Sequence, residues 1–156
     1  MPLQVAYHDS IRKLRVLVAD DHRDTVLTLT MLLREDGHEV YGAYSGTDAM
    51  KLARLYRMDA VIMDIEMPEM SGYATAQELR THYYPDRAPL LIAISGKWNR
   101  PSEKLLSRVV GFDHHLEKPC DPKAVLELLE TLRSRRLHIG GSDAAERGAS
   151  NTTGGC

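Results

Sequence analysis

Three carboxylates and one lysine stand at the ends of short apolar runs in this chain, and that placement points to phosphoryl chemistry. Asp64 closes Ala-Val-Ile-Met-Asp at 60–64 and is followed by Ile-Glu-Met-Pro-Glu-Met-Ser-Gly. Asp20 and Asp21 close another run, Arg-Val-Leu-Val-Ala at 15–19. Ser95 ends the run from Leu90, and Lys118 with Pro119 follows a weaker one, His114 to Glu117. Carboxylates brought together repel, and an uncompensated cluster raises its own pKa values until some members stay protonated. A divalent cation and Lys118 remove that difficulty. Oxygen ligands with open positions for water suit Mg²⁺, which takes one or two carboxylates plus phosphate oxygens; Mn²⁺ shares that taste in ligands. Asp64 could then be both ligand and nucleophile, as carboxylates are in enzymes that form aspartyl phosphates. The cation and Lys118 would offset charge on the transferring group, where most of the help in such reactions lies.

These residues meet only if the intervening chain brings them to one edge. Short runs rich in Val, Ile and Leu alternate with stretches of helical period, the pattern of βα units and a parallel sheet. Five units are counted. A strand at 14–19 precedes a helix near 24–35, where Val26, Leu29, Leu32 and Leu33 share a face before Gly37 stops it. Glu39 to Tyr44 reads as the second strand, with Ser45 or Thr47 capping a helix to about 57. The third strand is 60–64, and its helix runs from Gly72 to about Tyr83. Leu90 to Ser95 is continuously apolar, as expected of a central strand covered on both faces. Pro101 and Ser102 start a fourth helix to about Val110, Gly111 closes it, and His114–Glu117 is the fifth strand. Asp121 and Pro122 open a fifth helix with Val125, Leu128, Leu129 and Leu132 on one stripe, ending in Arg133, Arg135 and Arg136 as the helix dipole favours.

In an open α/β sheet, the carboxyl ends of the strands meet in a crevice where strand order reverses. The expected fold is α/β, a parallel sheet of five strands with five helices on both faces, taken in the doubly wound order 2-1-3-4-5. In that order Asp20, Asp21 and Asp64 approach one another, and Ser95 and Lys118 arrive from the fourth and fifth strands. Residues 1–12 are expected to be a flexible leader, 13–137 the domain, and 138–156 a disordered tail rich in Gly, Ser, Thr and Asn.

Composition narrows the function. A chain of 156 residues, 43% hydrophobic and 27% charged, builds one soluble globular core. A net charge of −2 supplies no basic field to hold nucleic acid through its phosphates. The apolar runs are far shorter than the roughly 18 residues of a membrane span, and the N-terminus lacks a signal-like apolar segment, so a cytoplasmic location is expected. Cys120 and Cys156 read as free thiols.

The acid pair at 20 and 21, Asp-x-x-Met-Pro-x-Met-x-Gly at 64–72, Ser95, and Lys118-Pro119 occur in order and spacing. On these residues the chain resembles the receiver domain of two-component response regulators, over about 13–137. The resemblance implies a flavodoxin-like fold, with Asp64 as phosphoacceptor, Asp21 as a direct Mg²⁺ ligand, Asp20 acting largely through water, and the backbone carbonyl of Glu66 as a further ligand. It makes Ser95 the switch hydroxyl, Lys118 the lysine that pairs with the phosphoryl group, and Pro119 the second residue of a cis peptide. It implies Mg²⁺-dependent self-phosphorylation and self-dephosphorylation without a separate substrate. The phosphodonor would be a phosphohistidine of a histidine kinase or histidine phosphotransfer protein, and an unknown downstream protein would meet the face of the fourth helix, fifth strand and fifth helix. The chain would be a monomer or weak dimer, contacting neither nucleic acid nor membrane.

Three positions depart from the family's pattern or tune it. His115 stands where the family usually has Tyr or Phe; it could rotate with the switch hydroxyl and add pH sensitivity, or be a half-exposed strand residue. Glu66 and Lys97 match positions that adjust loss of the phosphoryl group, and could pair across the site mouth or remain solvated charges worth under about 1 kcal/mol. Trp98, the one tryptophan, lies in the loop after Ser95. The segment from Gly111 to Leu116 is similar to receivers of hybrid histidine kinases. A receiver could be a diffusible switch, a relay intermediate or a phosphate sink. The rival class is a metal-dependent aspartyl-phosphate phosphatase, for which Glu66 is an imperfect general acid. A pseudo-receiver would lack part of the acid cluster or the lysine.

Overall fold

The apolar runs pair side by side because each offers buried side chains on both faces. The structure is a computed structural model that describes residues 13–83, 88–96 and 100–149, of which 137–149 are described through the backbone. Its elements are β1 (Arg15–Ala19), α1 (Arg23–Glu35), β2 (Glu39–Ala43), α2 (Gly46–Leu55), β3 (Ala60–Asp64), α3 (Gly72–Tyr83), β4 (Leu90–Ser95), α4 (Pro101–Val110), β5 (His114–Glu117) and α5 (Pro122–Ala149). The five strands form one parallel sheet in the order β2-β1-β3-β4-β5. This is the topology expected from the sequence, with strand order reversing between β1 and β3. Every residue of β3 is buried, as are all of β4 but its first, because helices cover both faces of the middle of the sheet.

Side-chain alternation along the strands divides the core into two layers. Val16 and Val18 of β1, Ile62 of β3, and Ile92 and Ile94 of β4 pack with Val26, Leu29 and Leu33 of α1 and Val125 and Leu129 of α5. Their neighbours Leu17, Ala19, Val61, Met63 and Leu91 face the other way, against Ala49, Met50 and Ala53 of α2 and Ala76, Leu79 and Tyr83 of α3. Burying a side chain such as Leu79, fully shielded here, contributes about 1.5–3 kcal/mol. The Tyr83 hydroxyl reaches across to the Ala53 carbonyl at 2.8 Å, tying α3 to the end of α2.

Local signals set the helix boundaries. The Ser45 hydroxyl accepts the Asp48 amide at 3.1 Å and caps α2. Pro101 opens α4, and Gly111 ends it with φ of 95°, a left-handed conformation that a residue with a Cβ adopts at a cost. Asp121 accepts the Lys123 amide at 3.0 Å at the start of α5.

The end of α5 corrects the sequence reading. The helix does not stop near 137 but runs to Ala149, so residues 138–149 are helical where a disordered tail was expected. The glycines at 140 and 141 each disfavour helix by only about 1 kcal/mol, no proline follows to break it, and Ala144, Ala145, Glu146 and Arg147 are good helix formers. Arg133, Arg135 and Arg136 consequently lie within the helix rather than at its end, and the dipole argument for them fails. Two of the three are held instead by specific partners: Arg133 pairs with Glu130, and Arg136 with Asp59, whose other oxygen accepts the Arg15 amide at 2.7 Å. Residues 1–12 and 150–156, for which a leader and a tail were expected, lie outside the described residues.

Candidate functional site

Strand register brings the polar residues to one edge. Ala19 lies opposite Ala43 and Met63, Asp64 opposite Ile94, and Ser95 opposite Glu117, so all the carboxyl ends finish together. Backbone bonds carry that alignment one step beyond the strands. The Asp20 amide donates to the Ala43 carbonyl at 3.1 Å, Ile65 to Ile94 at 3.3 Å, and Lys118 to Ser95 at 3.1 Å. The Lys118–Pro119 peptide that follows is cis.

The result is a compact charge cluster. The Lys118 ammonium lies 3.0 Å from Asp20 Oδ2 and 3.2 Å from Asp64 Oδ2. Both carboxylates are almost wholly buried, Asp20 at 2% exposure and Asp64 at 4%. The remaining oxygen of Asp20 accepts the His22 amide at 2.9 Å, and Asp64 Oδ1 accepts the Glu66 amide at 3.3 Å. Asp21 is exposed beside them, and ligating atoms of Asp20, Asp21, His22 and Asp64 all lie within 4.8 Å of one another. Ser95 is buried at the end of β4. Glu66 is exposed at the mouth, and Lys97 and Trp98, both singled out from the sequence, lie outside the described residues.

One ammonium between two buried carboxylates leaves them unequally served. Burial raises the Asp20 carboxyl, but the His22 amide and Lys118 outweigh it, and Asp20 ends below the usual carboxylate range. Burial, with the Asp20 charge next, pushes the Asp64 carboxyl up despite Lys118 and the Glu66 amide. Burial disfavours the Lys118 ammonium, yet the two carboxylates hold its pKa above the ordinary value. The hydrogen bond that the His22 ring donates to Asp20, and then the charges of Asp21 and Asp20, raise the His22 imidazole. The carboxylate that gains most from a further cation is thus Asp64.

The loop after β3 holds Asp64 by close backbone contact. The Gly72 amide donates to the Ile65 carbonyl at 2.8 Å, closing the turn that contains Pro68 and Glu69. A Cβ on Gly72 would sit 2.5 Å from the Asp64 carbonyl oxygen. This gives the terminal glycine of the sequence motif a steric reason.

The residues expected to act as switch and output surface lie on β5 and α4. His115 is half-buried in β5 opposite Ala93, and burial lowers its pKa to about 4, so it is neutral near pH 7. Its neighbour His114 is exposed. Helix α4 buries only Ser107 and leaves Leu105, Leu106 and Val109 exposed at 64%, 44% and 75%. An open groove of about 600 Å³ lies between α1 and the loop after β5, lined by residues that include His22, Thr25, Thr28, Lys118 and Pro119. Cys120 borders it as a free thiol whose pKa burial raises. Among the described residues no helix is long and apolar enough to cross a membrane.

The donors fit a hard divalent cation. Three carboxylates converge beside one ammonium, which supplies less positive charge than they carry, and oxygen donors are what Mg²⁺ prefers. His22 was not anticipated from the sequence as a member of the cluster. Its position directly after the acid pair was the available signal, because a side chain two residues beyond Asp20 returns to it when the Asp20 carboxylate accepts the amide at that position.

Fold and site together define a doubly wound α/β domain with an acid–lysine crevice at its topological switch point. Residues 16–130 match the family described as "Response regulator receiver domain", and the chain belongs to that family. It is 29% identical over 118 residues to Protein PilH of Pseudomonas aeruginosa, covering 76% of this chain and 96% of that protein. To Response regulator GtcR of Aneurinibacillus migulanus it is 32% identical over 119 residues, 76% of this chain but 47% of that longer protein. The solved structure of chemotaxis response regulator CheY4 of Vibrio cholerae superposes with a TM-score of 0.69 at 27% identity, covering 78% of this chain and 99% of that one. Membership implies phosphoryl acceptance on an aspartate in two-component signalling.

Proposed function

We propose that this receiver accepts a phosphoryl group on Asp64 from a phosphohistidine of a histidine kinase or histidine phosphotransfer protein, and signals by changing its protein contacts. The observation that carries the reading is the buried Asp64 carboxylate, placed at the end of β3 and sharing the Lys118 ammonium with Asp20. An Asp64 oxygen attacks phosphorus in line, the phosphorus–nitrogen bond breaks, and its electron pair leaves with the imidazole of the donor. The groove beside Lys118, between α1 and the loop after β5, supports approach of the donor from that side.

Asp20, Asp21 and Asp64, with the backbone carbonyl of Glu66, would hold Mg²⁺, which when bound neutralises charge on the phosphoryl oxygens. Lys118 keeps an ammonium at the acceptor throughout, and its raised pKa supports a full charge at neutral pH. Ser95, at the same edge, donates its hydroxyl to the phosphoryl group once that is present. Glu66, exposed two residues beyond Asp64, hinders attacking water and lengthens the phosphorylated lifetime. The exposed Leu105, Leu106 and Val109 make α4, with β5 and α5, the surface that a downstream protein covers. His115 in β5 transmits the change while remaining neutral. The size of the switch is set by how differently the phosphoryl group interacts with the two states.

Intact mass spectrometry after incubation with acetyl phosphate tests the reading. One added phosphoryl group is expected with Mg²⁺, and none with chelator or in Asp64→Asn. Labelling that persists in Asp64→Asn would refute it.

A further inference from the structure

Helix α2 packs through Ala49, Met50 and Ala53, so its last residue, Leu55, points away from the core and is 73% exposed. Lys51 lies one turn earlier on the same side of the helix, and Arg54 and Arg57 flank Leu55 and Tyr56. All three cations are exposed, and none has an ion-pair partner among the described residues. Tyr56, by contrast, is held in place. Its ring stacks on Tyr41 of β2 with centroids 4.5 Å apart, and the Arg15 guanidinium lies 5.9 Å from its centroid. The Tyr41 hydroxyl donates to Glu39, which also accepts Arg15 Nε at 3.2 Å, and Arg15 donates to the Arg57 carbonyl at 3.5 Å. These bonds fix the rings before any partner arrives, so docking on them costs little ordering entropy. The nearby acids are already matched, Glu39 by Arg15 and Asp59 by Arg136. In a chain whose net charge is −2, this corner is locally basic.

We infer that Leu55 and the Tyr41–Tyr56 stack, ringed by Lys51, Arg54 and Arg57, form a docking surface for an acidic segment of another protein that carries an apolar side chain. The acids of that segment meet the unpaired cations, and its apolar side chain covers Leu55 beside the rings. Tyr and Arg are the side chains that carry most of the energy at protein interfaces. A single exposed aliphatic side chain gives a bilayer no apolar face to hold. A chain of net negative charge repels nucleic acid at long range, and one face of Tyr56 that a base could stack on is already taken by Tyr41. Arg15 starts β1, whose other end leads to Asp20, so this surface lies at the opposite edge of the sheet from the acid crevice. The separation along the strands is about 15 Å. Docking here leaves the crevice and α4 uncovered, and the inference does not rest on the phosphoryl chemistry.

The test titrates the full chain, labelled with nitrogen-15, with a short synthetic peptide of alternating Asp and Glu around a central Phe. The expected result is a set of amide shifts confined to β2 and the end of α2. Arg54→Glu combined with Arg57→Glu should weaken binding by at least about tenfold while the melting temperature and the rate of labelling by acetyl phosphate stay at the parent values. Leu55→Ser should weaken the Phe peptide but not a version with Gly in its place, which assigns the apolar contact to this side chain. A matched peptide of Asn and Gln should not bind. Equal binding of that neutral peptide, shifts that fall on α4 or the acid crevice, or no shift at millimolar peptide would each overturn the inference. Binding to vesicles containing phosphatidylglycerol that is tighter than to the peptide, and lost in the same double variant, would assign the surface to a membrane and overturn it as well.

Discussion

Replacing Gly72 by alanine sets two effects of opposite sign against each other. Gly72 is the first residue of α3, where alanine's higher helix propensity would stabilise by up to about 1 kcal/mol. The added methyl, however, would stand 2.5 Å from the Asp64 carbonyl oxygen and 2.7 Å from Ile65 Cα, inside the 3.0 Å that real Cβ atoms respect. Both opposing atoms are backbone, so no side-chain rotation relieves the contact. The turn must open by at least half an ångström, and overpacking of that kind costs about 1–3 kcal/mol. The same movement stretches the 2.8 Å bond from the Gly72 amide to Ile65, worth about 0.5–1.5 kcal/mol. The balance is a loss of about 1–3 kcal/mol, or about 0.5–1.5 M in the urea midpoint for a protein of this size. Because the strained atoms belong to Asp64 and its neighbour, labelling by acetyl phosphate should also slow. Urea unfolding followed by circular dichroism gives the first quantity and timed intact mass the second. A midpoint equal to or above that of the parent chain would refute the steric argument.

Three further predictions concern the site and its support. Asp64→Asn should raise thermal stability at neutral pH in the absence of metal. The Asp64 carboxyl titrates above its unfolded value, so its contribution to stability is present below the unfolded pKa and is lost as pH rises through the folded pKa; the gain from Asn should vanish in acid, and a pH series of melting temperatures checks it. Asp113→Ala should cost about 1–3 kcal/mol in denaturant titrations, because Asp113 Oδ2 accepts the buried Leu91 amide at 2.8 Å and Arg80 at 3.1 Å, and the central strand would keep an unmet donor. Leu105→Asp, on a side chain 64% exposed, should alter the unfolding free energy by no more than about 0.5 kcal/mol and leave phosphoryl labelling intact while abolishing signalling output in the host cell.

How much of this was readable beforehand differs by element. The continuous apolar runs of β3 and β4 announced buried inner strands, and the βα alternation announced a parallel sheet, but the strand order 2-1-3-4-5 was taken with the fold that the motif resemblance implies rather than read from local pattern. Ser45, Gly111 and Asp121 marked helix ends through chemistry confined to a few residues, which is why those boundaries were legible. The course of α5 was not. Its polar, glycine-containing end carries no stop signal strong enough to outweigh good helix formers further on, and composition alone suggested disorder. The site was legible as residue types gathered at strand ends, but not as a circuit: that one ammonium bridges Asp20 and Asp64, and that the two carboxyls therefore titrate in opposite directions, depends on distances and burial. Arg136 meeting Asp59, and Arg80 meeting Gly111 and Asp113, join residues far apart in the chain and leave no local pattern to read.

The most direct test of the central claim is chemical mapping of the acceptor. Acyl phosphate formed with acetyl phosphate and Mg²⁺ is reduced with borohydride, which converts the phosphorylated aspartate to homoserine, and peptide mass spectrometry locates the change. The account predicts homoserine at position 64, with Asp20 and Asp21 unaltered. Reduction at Asp20 or Asp21, or an unmodified Asp64 in protein that has gained a phosphoryl group, would contradict it.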